Sequence, residues 1–442
     1  MSALSHQGLW GLRRFIFLLA AGIISLAVLL VICSQLLLFL WSSHTMLKGL
    51  GSAGLLSLPL VTTSSATLLY VSSYAGTVTT LDLTLPSGNT SAALEAISTS
   101  TGCASSPSWL TLDSSKSVLY CADEGLTTPL GSLTSFQTNV DGSLVQLDQL
   151  SVISGPVSAV VYGDAGDGLA LAQYSGSSFS TFSTADPSAL VPLQNETFEL
   201  SGPGTDPTRQ DAPHPHEAIL DPTKEYILVP DLGADLVRIF KIQEGGLGWT
   251  AADPLVVASG SGPRHATFLV TEDTTYMYLI SELANTITGY EVAYSNGSTP
   301  SFTELFSISI HGEGGSVPNG TAAAEIVLSP DDKFLIVSSR GENSFTIPNF
   351  DISNSTEIVS DAVITFSVDH SSGELSLLQS YPSGGRYPRQ FSINKAGDLI
   401  AVGLQSDSRV VVIQRDVESG LLTEFIANAT VAGEVTAVIF NE

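Results

Sequence analysis

Chemically versatile side chains occur at two fixed places in a strand–turn–strand unit that this chain repeats. One place is the start of the first apolar run of each unit, and the other is the end of the second run. The starts carry His216, Arg264, Glu325 and Arg389, and the ends carry Asp231, Glu282, Arg340 and Gln405. Clustered arginines in an otherwise acidic chain indicate a binding site for a carboxylate or phosphate group. The alternative is that these residues form ion pairs that tie neighbouring units together.

Two of these side chains suit general acid–base chemistry. Histidine titrates near neutral pH without help, whereas a glutamate reaches that range only when it is buried. We therefore favour His216 over Glu282 as the group that moves a proton. The sequence lacks a Gly-x-Ser-x-Gly segment, so a covalent serine mechanism is not expected. It also lacks a cysteine–histidine cluster with metal-ligand spacing, and we predict neither a metal nor another cofactor.

The repeated unit has the length and pattern of a β-propeller blade. Each copy has an alternating apolar run, a tight turn, a second β-rich run, a polar gap and a third strand, over roughly 50 to 60 residues. The clear copies begin at His216, Arg264, Glu325 and Arg389, and weaker copies begin at Ser108 and Val157. A seventh copy is split, because 68–74 and 77–83 resemble second and third strands and 435–440 supplies a first strand. Joining the chain ends in one blade removes the edges that an open ring exposes.

We therefore predict an all-β fold, a seven-bladed β-propeller over residues 66–442, preceded by an N-terminal hydrophobic helix. In such a ring the first strand of each blade lines the axis, and the second runs back antiparallel. The start of the first strand and the end of the second then open on the same face, near the central channel. The polar segments 200–213 and 309–321 are predicted to be loops on one face. We expect this channel mouth to be solvated, so that substitutions there change stability little.

Several motifs in these units resemble those of one known family. They are Gly262-Pro-Arg-His265, Ser281-Glu-Leu-Ala-Asn285, Ala323-Ala-Glu-Ile-Val-Leu-Ser-Pro330, Ser338-Ser-Arg-Gly341, Tyr387-Pro-Arg389 and the segments 214–222 and 230–235. Together they resemble the lactonase family of seven-bladed propellers, which includes propeller-type 6-phosphogluconolactonases and fungal 3-carboxy-cis,cis-muconate cyclases. The resemblance covers about residues 66–442 and is strongest from 214 to 416. The four matching units occur as an ordered set, which is more specific than any single motif.

The resemblance implies an enzyme that hydrolyses or forms a lactone, with a small-molecule lactone or carboxylate as substrate. The cyclases of this family use a histidine, two arginines and a glutamate, which correspond by motif position to His216, Arg264, Arg340 and Glu282. The predicted substrate-binding residues at the same mouth are Glu325, Arg389, His265, Asp231 and Gln405. Opening a lactone requires a positioned water, a base and donors for the developing oxyanion. We expect the two catalytic arginines to bind anionic oxygens, and either His216 or Glu282 to be the acid or base.

Two other functions remain open for such a fold, because propellers support many functions. One is a non-catalytic extracellular propeller that binds a glycan, an acid or a protein at the channel mouth. The other is a structural scaffold at the cell surface. Retention of the four-residue set favours the enzyme. The known sugar-phosphate lactonases and muconate cyclases act inside cells, so an exported member is expected to act on a different substrate.

The first 65 residues are predicted to direct the rest of the chain across a membrane. Phe15 to Trp41 has no charged residue in 27 positions, and as a helix it would span about 40 Å. Arg13 and Arg14 precede it and favour a cytosolic N-terminus with the propeller outside. A second interpretation takes Met46 as the start of a cleaved secretory signal that ends near residue 65. Both interpretations place the body outside the cytosol, secreted or anchored in the membrane through the uncleaved helix.

Charge, sequons and cysteines are consistent with this location. The net charge of −27 repels phosphate backbones and argues against nucleic-acid binding. N-glycosylation sequons occur at Asn89, Asn195, Asn296, Asn319, Asn354 and Asn428. In an oxidising compartment Cys103 and Cys121 are expected to form a disulfide. The alternative is two buried free thiols.

Overall fold

The fold is a seven-bladed β-propeller, as predicted. A computed structural model describes residues 67–86, 91–295 and 299–442. Within them seven four-stranded antiparallel sheets form the blades, and an extra two-stranded hairpin projects from the sixth. The predicted N-terminal helix lies outside the described residues, which include one short 3-10 turn at Gln405–Asp407. No helix in the described part of the chain is long and apolar enough to cross a bilayer.

The strands are numbered here in chain order. Blade 1 contains β1 (Thr67–Ser73), β2 (Thr77–Thr84), β3 (Ala93–Ser100) and the last strand of the chain, β30 (Val435–Phe440). Blades 2 to 4 contain β4 (Pro107–Asp113), β5 (Val118–Asp123), β6 (Gly131–Thr138), β7 (Leu144–Val152), β8 (Pro156–Tyr162), β9 (Gly168–Gln173), β10 (Ser178–Ser183), β11 (Val191–Thr197), β12 (Ile219–Leu220), β13 (Tyr226–Asp231), β14 (Leu236–Ile242) and β15 (Trp249–Val256).

The remaining strands belong to blades 5 to 7. They are β16 (Pro263–Val270), β17 (Thr275–Ser281), β18 (Thr286–Ala293), β19 (Ser301–Ser309), β20 (Ala322–Leu328), β21 (Phe334–Arg340), β24 (Ala362–Val368), β25 (Leu375–Pro382), β26 (Pro388–Ile393), β27 (Leu399–Leu404), β28 (Arg409–Arg415) and β29 (Leu422–Thr430). The inserted hairpin of blade 6 consists of β22 (Phe345–Pro348) and β23 (Glu357–Ser360).

The core consists of apolar clusters between neighbouring blades. Seven such clusters occur in the described residues, one for each pair of adjacent blades. The second strands β5, β9, β13, β21 and β27 are buried along their whole length, because both faces of each blade pack on a neighbour. The apolar contacts therefore hold the ring together through its blade faces, and the strand ends are left to carry polar groups.

The first and last strands of the described residues lie side by side in blade 1, which confirms the predicted closure. Strand β30 pairs antiparallel with β1, with Leu69 opposite Phe440 and Val71 opposite Val438. The sheet order is β3-β2-β1-β30. Val435 and Val438 are fully buried in the cluster between blades 7 and 1. A single strand from the end of the chain therefore completes both the sheet and an apolar interface.

Deleting residues 435–442 is expected to cause aggregation instead of a modest loss of stability. The deletion removes β30, uncovers the edge of β1 and opens the apolar contact with blade 7, and unpaired edges template association between chains. Size-exclusion chromatography would show large species. Removal of Glu442 alone, which follows the strand, is the control. A monomeric deletion variant with a cooperative thermal transition would contradict the role assigned to β30.

Candidate active site

A β-bulge near the start of the first strand, present in six of the seven blades, positions polar side chains of the mouth. In blade 5 Pro263 is opposite Ser281 and His265 is opposite Ile280, so Arg264 is the extra residue. The same shift in blade 7 makes Arg389 the extra residue. In blade 4 His216 follows the bridge between Pro215 and Asp231, and its N–H donates to the carbonyl of Pro230. Bulges bend a strand and redirect a side chain, which explains how these residues reach one site.

Glu282 is the centre of an arginine cluster. Its Oε2 lies 3.1 Å from Arg264 Nε and 2.7 Å from Arg340 Nη2, and its Oε1 accepts from Arg209 Nη2 at 2.6 Å. Glu282 follows β17, Arg340 ends β21, and Arg209 lies on the 200–213 loop. The structure thus joins three of the four predicted catalytic residues in one contact group, and it adds Arg209, which the repeat pattern did not indicate.

This cluster is buried, and the expectation of a solvated mouth is wrong. Arg264, Arg340, Glu282 and His216 are 2%, 6%, 4% and 6% exposed. Burial raises the pKa of Glu282, but the charges of Arg340, Arg264 and Arg209 outweigh burial and hold it at about 2. Burial lowers the pKa of Arg264, and the charge of Arg340 lowers it further. The negative charge of ionised Glu282 is therefore required to balance the positive charge of guanidinium groups that burial shields from water.

Two of the three arginines also tie the inner strand of blade 6 into the site. Arg264 Nη1 donates to the Ala324 carbonyl at 2.6 Å. Arg340 donates to the carbonyls of Ala322 and Ala323 at 3.2 and 3.1 Å. The Arg264 bond joins blade 5 to blade 6 and supports the alternative in which the arginines connect blades, whereas the Arg340 bonds lie within blade 6. Arg264 and Arg340 therefore hold the wall of the site as well as supplying positive charge to it.

A second group of side chains forms a hydrogen-bonded chain across blades 4, 5 and 6. His216 Nδ1 lies 3.1 Å from His265 Nε2, and His265 Nδ1 lies 2.7 Å from Glu325 Oε1. The side chain of His265 is fully buried, and that of Glu325 is 6% exposed. Within the described residues His216 Nε2 makes no hydrogen bond. This hydrogen-bonded relay, Glu325–His265–His216, thus begins at a buried carboxylate and ends at Nε2 of His216.

The ionisation states of the three groups fix the direction of these hydrogen bonds. Burial raises the pKa of Glu325, but the contact with His265 and the charge of Arg264 bring it below its usual value. Burial lowers the pKa of His265 and lowers that of His216 well below its usual range, with a further contribution from Arg264. Glu325 is then an acceptor, so His265 donates from Nδ1 and accepts at Nε2 from His216 Nδ1–H. His216 is left with a lone pair on Nε2, which is the form required of a base.

The pair His265–Glu325 departs from a pattern that blades 3, 4 and 7 follow. Ser158, Glu217 and Gln390 occupy the matching place on their inner strands, and each accepts a hydrogen bond from a main-chain N–H of the next blade. His265 and Glu325 instead contact each other. Burial and the nearby Glu325 raise the pKa of Glu217 well above its usual value, and either protonation state of Glu217 can accept from the Ala266 N–H. Glu217 therefore connects blade 4 to blade 5, whereas His265 and Glu325 orient His216.

Arg389 forms a third group with residues from blades 1 and 2. Its Nη1 donates to the Tyr74 hydroxyl and its Nη2 to Glu124 Oε1, both at 3.2 Å. The Tyr74 hydroxyl also donates to Glu124 Oε1 at 2.5 Å. Burial alone would lower the pKa of Arg389, but its contacts with Tyr74 and with the Glu124 carboxylate outweigh burial and raise it. Arg389 is therefore neutralised within its own group.

Two predicted substrate-binding residues lie outside these groups. Asp231 is fully buried, and its carboxylate accepts from the N–H of His214 and from Arg238 Nε at 2.6 and 2.8 Å. Leu232, the next residue, occupies the place that Glu282 holds in blade 5. The repeat had aligned Asp231 with Glu282, which is one residue too early. Because neighbouring side chains of a strand point to opposite faces, the Asp231 side chain points away from the face that Glu282 occupies. Gln405 Nε2 donates to Glu434 Oε2 at 2.9 Å and is not joined to the arginine cluster.

Three residues that the sequence analysis missed carry the same signal as those it found. Tyr74, Glu124 and Tyr174 each follow directly on a second strand, as Glu282 does. They belong to blades 1 to 3, where the repeat is weaker. Tyr174 stacks on His214 with ring centroids 4.1 Å apart, and it meets the edge of His216 at 5.7 Å. Applying the repeat to all seven blades would have found these residues.

The predicted pairing of Cys103 with Cys121 is present in the structure. Cys103 and Cys121 are joined by a disulfide, with Cα atoms 5.9 Å apart, in the cluster between blades 1 and 2. In the ranges that the structure describes, no three His, Cys, Asp or Glu side chains are grouped as ligands of a metal would be.

Comparisons with known proteins agree with the fold and with the resemblance. The family model described as lactonase, 7-bladed beta-propeller, matches residues 68–440. The probable 6-phosphogluconolactonase of Arthroderma benhamiae is 33% identical over 322 residues, which cover 72% of this chain and 76% of that protein. The 6-phosphogluconolactonase of Formosa agariphila is 28% identical, covering 75% of this chain and 88% of its own length.

Solved structures show the same fold at lower identity. A putative 6-phosphogluconolactonase from Bacteroides fragilis has a TM-score of 0.70 and 24% identity, covering 86% of this chain and 99% of its own. The periplasmic gluconolactonase of Pseudomonas aeruginosa has a TM-score of 0.67 and 23% identity, covering 85% and 99%. From the family match and the first of the relatives, this chain belongs to the lactonase family of seven-bladed β-propellers.

Proposed function

We propose that this protein hydrolyses a lactone of a sugar acid at the channel mouth, with His216 as the general base. The observation that carries the proposal is the Glu325–His265–His216 chain, which leaves the basic nitrogen of His216 unbonded beside a buried arginine cluster. The relatives named as gluconolactonases support this reaction class. Formation of a lactone by addition of a carboxylate to an unsaturated acid, which is a different reaction, stays a prediction from the resemblance to the cyclases.

The reaction needs one proton to move twice. His216 Nε2 takes a proton from water as its oxygen attacks the lactone carbonyl, which gives a tetrahedral oxyanion. The arginines around Glu282 stabilise this negative charge. The bond from the carbonyl carbon to the ring oxygen then breaks, and protonated His216 returns the proton to the leaving alkoxide. The products are a hydroxyl group and a carboxylic acid, which releases its proton to solvent and becomes a carboxylate, and the histidine ends in its starting state.

The relay supports this cycle by favouring His216 as both acceptor and donor. A neutral His216 with its proton on Nδ1 has its lone pair on Nε2, where water must be deprotonated. The imidazolium that forms is stabilised by the negative charge of Glu325 through His265. Proton transfer by a positioned side chain contributes about 10²- to 10⁴-fold to rate. Burial keeps the resting imidazole neutral, so this base is available at neutral pH.

Hydrolysis of a panel of aldonolactones by the purified protein tests the proposal. Acid release should exceed the uncatalysed rate in the same buffer for at least one lactone. Binding of a lactone or its open acid at the same residues without turnover would instead establish the non-catalytic alternative. Muconolactones in the same panel would test the cyclase-type reaction.

We also propose that the propeller works outside the cytosol. The disulfide of Cys103 and Cys121 is consistent with an oxidising compartment. The sequon residues Asn195, Asn319 and Asn354 are exposed, and Asn428 is half-buried. Asn89 and Asn296 lie outside the described residues, as do both candidate export segments.

Endoglycosidase treatment of the protein from a eukaryotic host is expected to lower its apparent mass. The exposed sequons can accept glycans only if the body enters the secretory route. Asn354→Gln, which alters an exposed sequon on the hairpin loop of blade 6, should remove one increment of that mass. The N-terminal sequence of the same sample would separate cleavage near residue 66 from an intact hydrophobic segment. Recovery in the cytosol with no mass shift would overturn the proposed location.

A further inference from the structure

One residue from each blade lies just inside the strand start at the mouth, and these residues form a layer one step deeper in the channel. In blades 2, 3, 5 and 7 each of them directly follows the extra residue of the bulge. From blade 1 to blade 7 this inner layer consists of Ala437, Trp109, Ser158, Glu217, His265, Glu325 and Gln390. Trp109 has the largest side chain of the inner layer, so it can fill much of the channel at this depth.

The indole of Trp109 crosses the channel. It meets the His265 ring edge-on, with ring centroids 5.5 Å apart and ring planes at 82°. Trp109 belongs to blade 2 and His265 to blade 5, and blades 3 and 4 lie between them in the ring. Their inner strands are therefore on opposite sides of the axis. The neighbours of Trp109 in the inner layer, Ala437 and Ser158, have small side chains, which leave space for the indole.

His265 is fully buried although its strand lines the channel. Its side chain is 0% exposed, and Trp109 is half-buried. Both ring nitrogens of His265 are used in the relay, one towards His216 and the other towards Glu325. The contact with Trp109 therefore adds no hydrogen bond and instead covers the His265 ring. Because His265 has no accessible surface, water in the channel does not reach the middle of the relay.

This cover matters because the relay selects one tautomer of His216. Hydrogen bonds are stronger in a medium of low dielectric constant and without competing water. A water molecule beside His265 could donate to its Nε2 and take the place of the His216 Nδ1–H. The proton of neutral His216 could then lie on either ring nitrogen, and only part of the molecules would have the lone pair on Nε2.

The other groups around His265 are charged or titratable. They are His216 and Glu217 on blade 4, Arg264 on the same strand as His265, Glu325 on blade 6 and Arg389 on blade 7. Trp109 covers the imidazole from blade 2 without adding a charge. Its contribution is therefore to exclude water, while the charged groups decide which form of each histidine is stable.

We propose that Trp109 is a positioning residue whose indole closes the channel beneath the relay, keeps water from His265 and so holds His216 with its lone pair on Nε2. The effect on catalysis rests on the proposed function, because it concerns the base of the same site. The effect on the tautomer does not, because it can be measured without a substrate.

The kinetic test uses Trp109→Leu and Trp109→Phe. Leucine keeps an apolar side chain on the strand but is too short to cover His265, whereas phenylalanine keeps an aromatic ring. Trp109→Leu should lower kcat for lactone hydrolysis about two- to tenfold with KM changed much less, and Trp109→Phe should recover most of the loss. The acid limb of kcat should move to higher pH in Trp109→Leu, because water at His265 relieves the burial that lowers the pKa of both histidines.

Trp249→Leu is the matched control. Trp249 is buried between blades 3 and 4, where its Nε1 donates to Thr181 Oγ1 at 3.0 Å. Both leucine variants lose packing and should have a lower melting temperature, but Trp249→Leu should keep the kcat and the acid limb of the wild type. A Trp109→Leu variant that also keeps both would overturn the proposal. A rise in KM alone would overturn it too, because that result would place Trp109 against the substrate.

Nitrogen-15 NMR of histidine-labelled protein decides the inference independently of turnover. In the wild type His216 and His265 should both carry their proton on Nδ1, and in Trp109→Leu His216 should be a mixture of tautomers. A wild type that hydrolyses no lactone but shows this change would overturn the proposed function and uphold the inference. Identical tautomers in the wild type and Trp109→Leu would overturn the inference even if the protein is an active lactonase.

Discussion

Replacing His216 with alanine is expected to lower kcat for lactone hydrolysis by about 10²- to 10⁴-fold while changing KM much less. The imidazole moves a proton in the transition state, so its loss affects the chemical step more than substrate binding. Steady-state kinetics of the wild type and the variant measure both constants. His370→Ala is the control, because His370 is exposed and its Nε2 contacts only the Asp332 carbonyl among the described residues. An unchanged kcat in His216→Ala would remove the base from the mechanism.

The pH dependence follows from the direction of the His216 shift. The base works when it is unprotonated, and burial lowers its pKa well below the ordinary value of 6.5. The acid limb of kcat should therefore lie below pH 6.5, with a plateau through neutral pH. Glu325→Gln should reduce kcat and change this limb, because an amide can present its N–H to His265 and reverse the tautomers. A pH profile and kcat identical to those of the wild type would show that the relay has no role.

Glu282→Gln is expected to cause the largest loss of stability of any single substitution in the site. Three arginines contact this buried carboxylate, and removing one partner of a buried ion pair costs about 3–5 kcal/mol. A pKa held at about 2 instead of 4.5 corresponds to roughly 3 kcal/mol, which agrees in size. Thermal and denaturant unfolding of both proteins would measure the difference.

The same pKa shift predicts how that difference changes with pH. Since the folded-state pKa of Glu282 is depressed, its contribution is fully present above pH 4.5 and is lost as the pH falls towards 2. Asp167→Asn is the control, because Asp167 is 37% exposed and pairs with Lys116 at 2.8 Å, a type of pair that contributes about 0–1 kcal/mol. If Glu282→Gln and Asp167→Asn lowered the free energy of unfolding by the same small amount, Glu282 would not be the residue that stabilises the arginine cluster.

The repeat pattern was sufficient to predict the architecture, because strand alternation and blade closure depend on apolar periodicity. The split blade could be recognised because 68–74 and 77–83 resemble the second and third strands of a blade, and 435–440 resembles a first strand. The same periodicity located the mouth, since it aligned the starts of the first strands, where bulges make Arg264 and Arg389 the extra residues.

Periodicity was insufficient where contacts depend on loops or on exact register. Arg209 lies on an inserted loop with no repeat partner, so no sequence spacing pointed to it. Asp231 was assigned to the mouth one residue too early, and a shift of one residue reverses a side chain in a strand. The burial of the Glu282 cluster was missed because spacing shows which residues share a face and not which neighbours cover them. The hydrogen bonds that join His216, His265 and Glu325 could not be read from spacing, and substrate binding by His265 and Glu325 stays a prediction.

The most direct test of this account is the rate of acid release from glucono-δ-lactone and its 6-phosphate, with the wild type and His216→Ala measured in parallel against the uncatalysed reaction. We expect the wild type to accelerate hydrolysis of at least one of these lactones and His216→Ala to fall to near the uncatalysed rate. A wild type no faster than buffer for either lactone, or a His216→Ala variant as fast as the wild type, would contradict the assignment of a histidine-based lactonase site to this propeller.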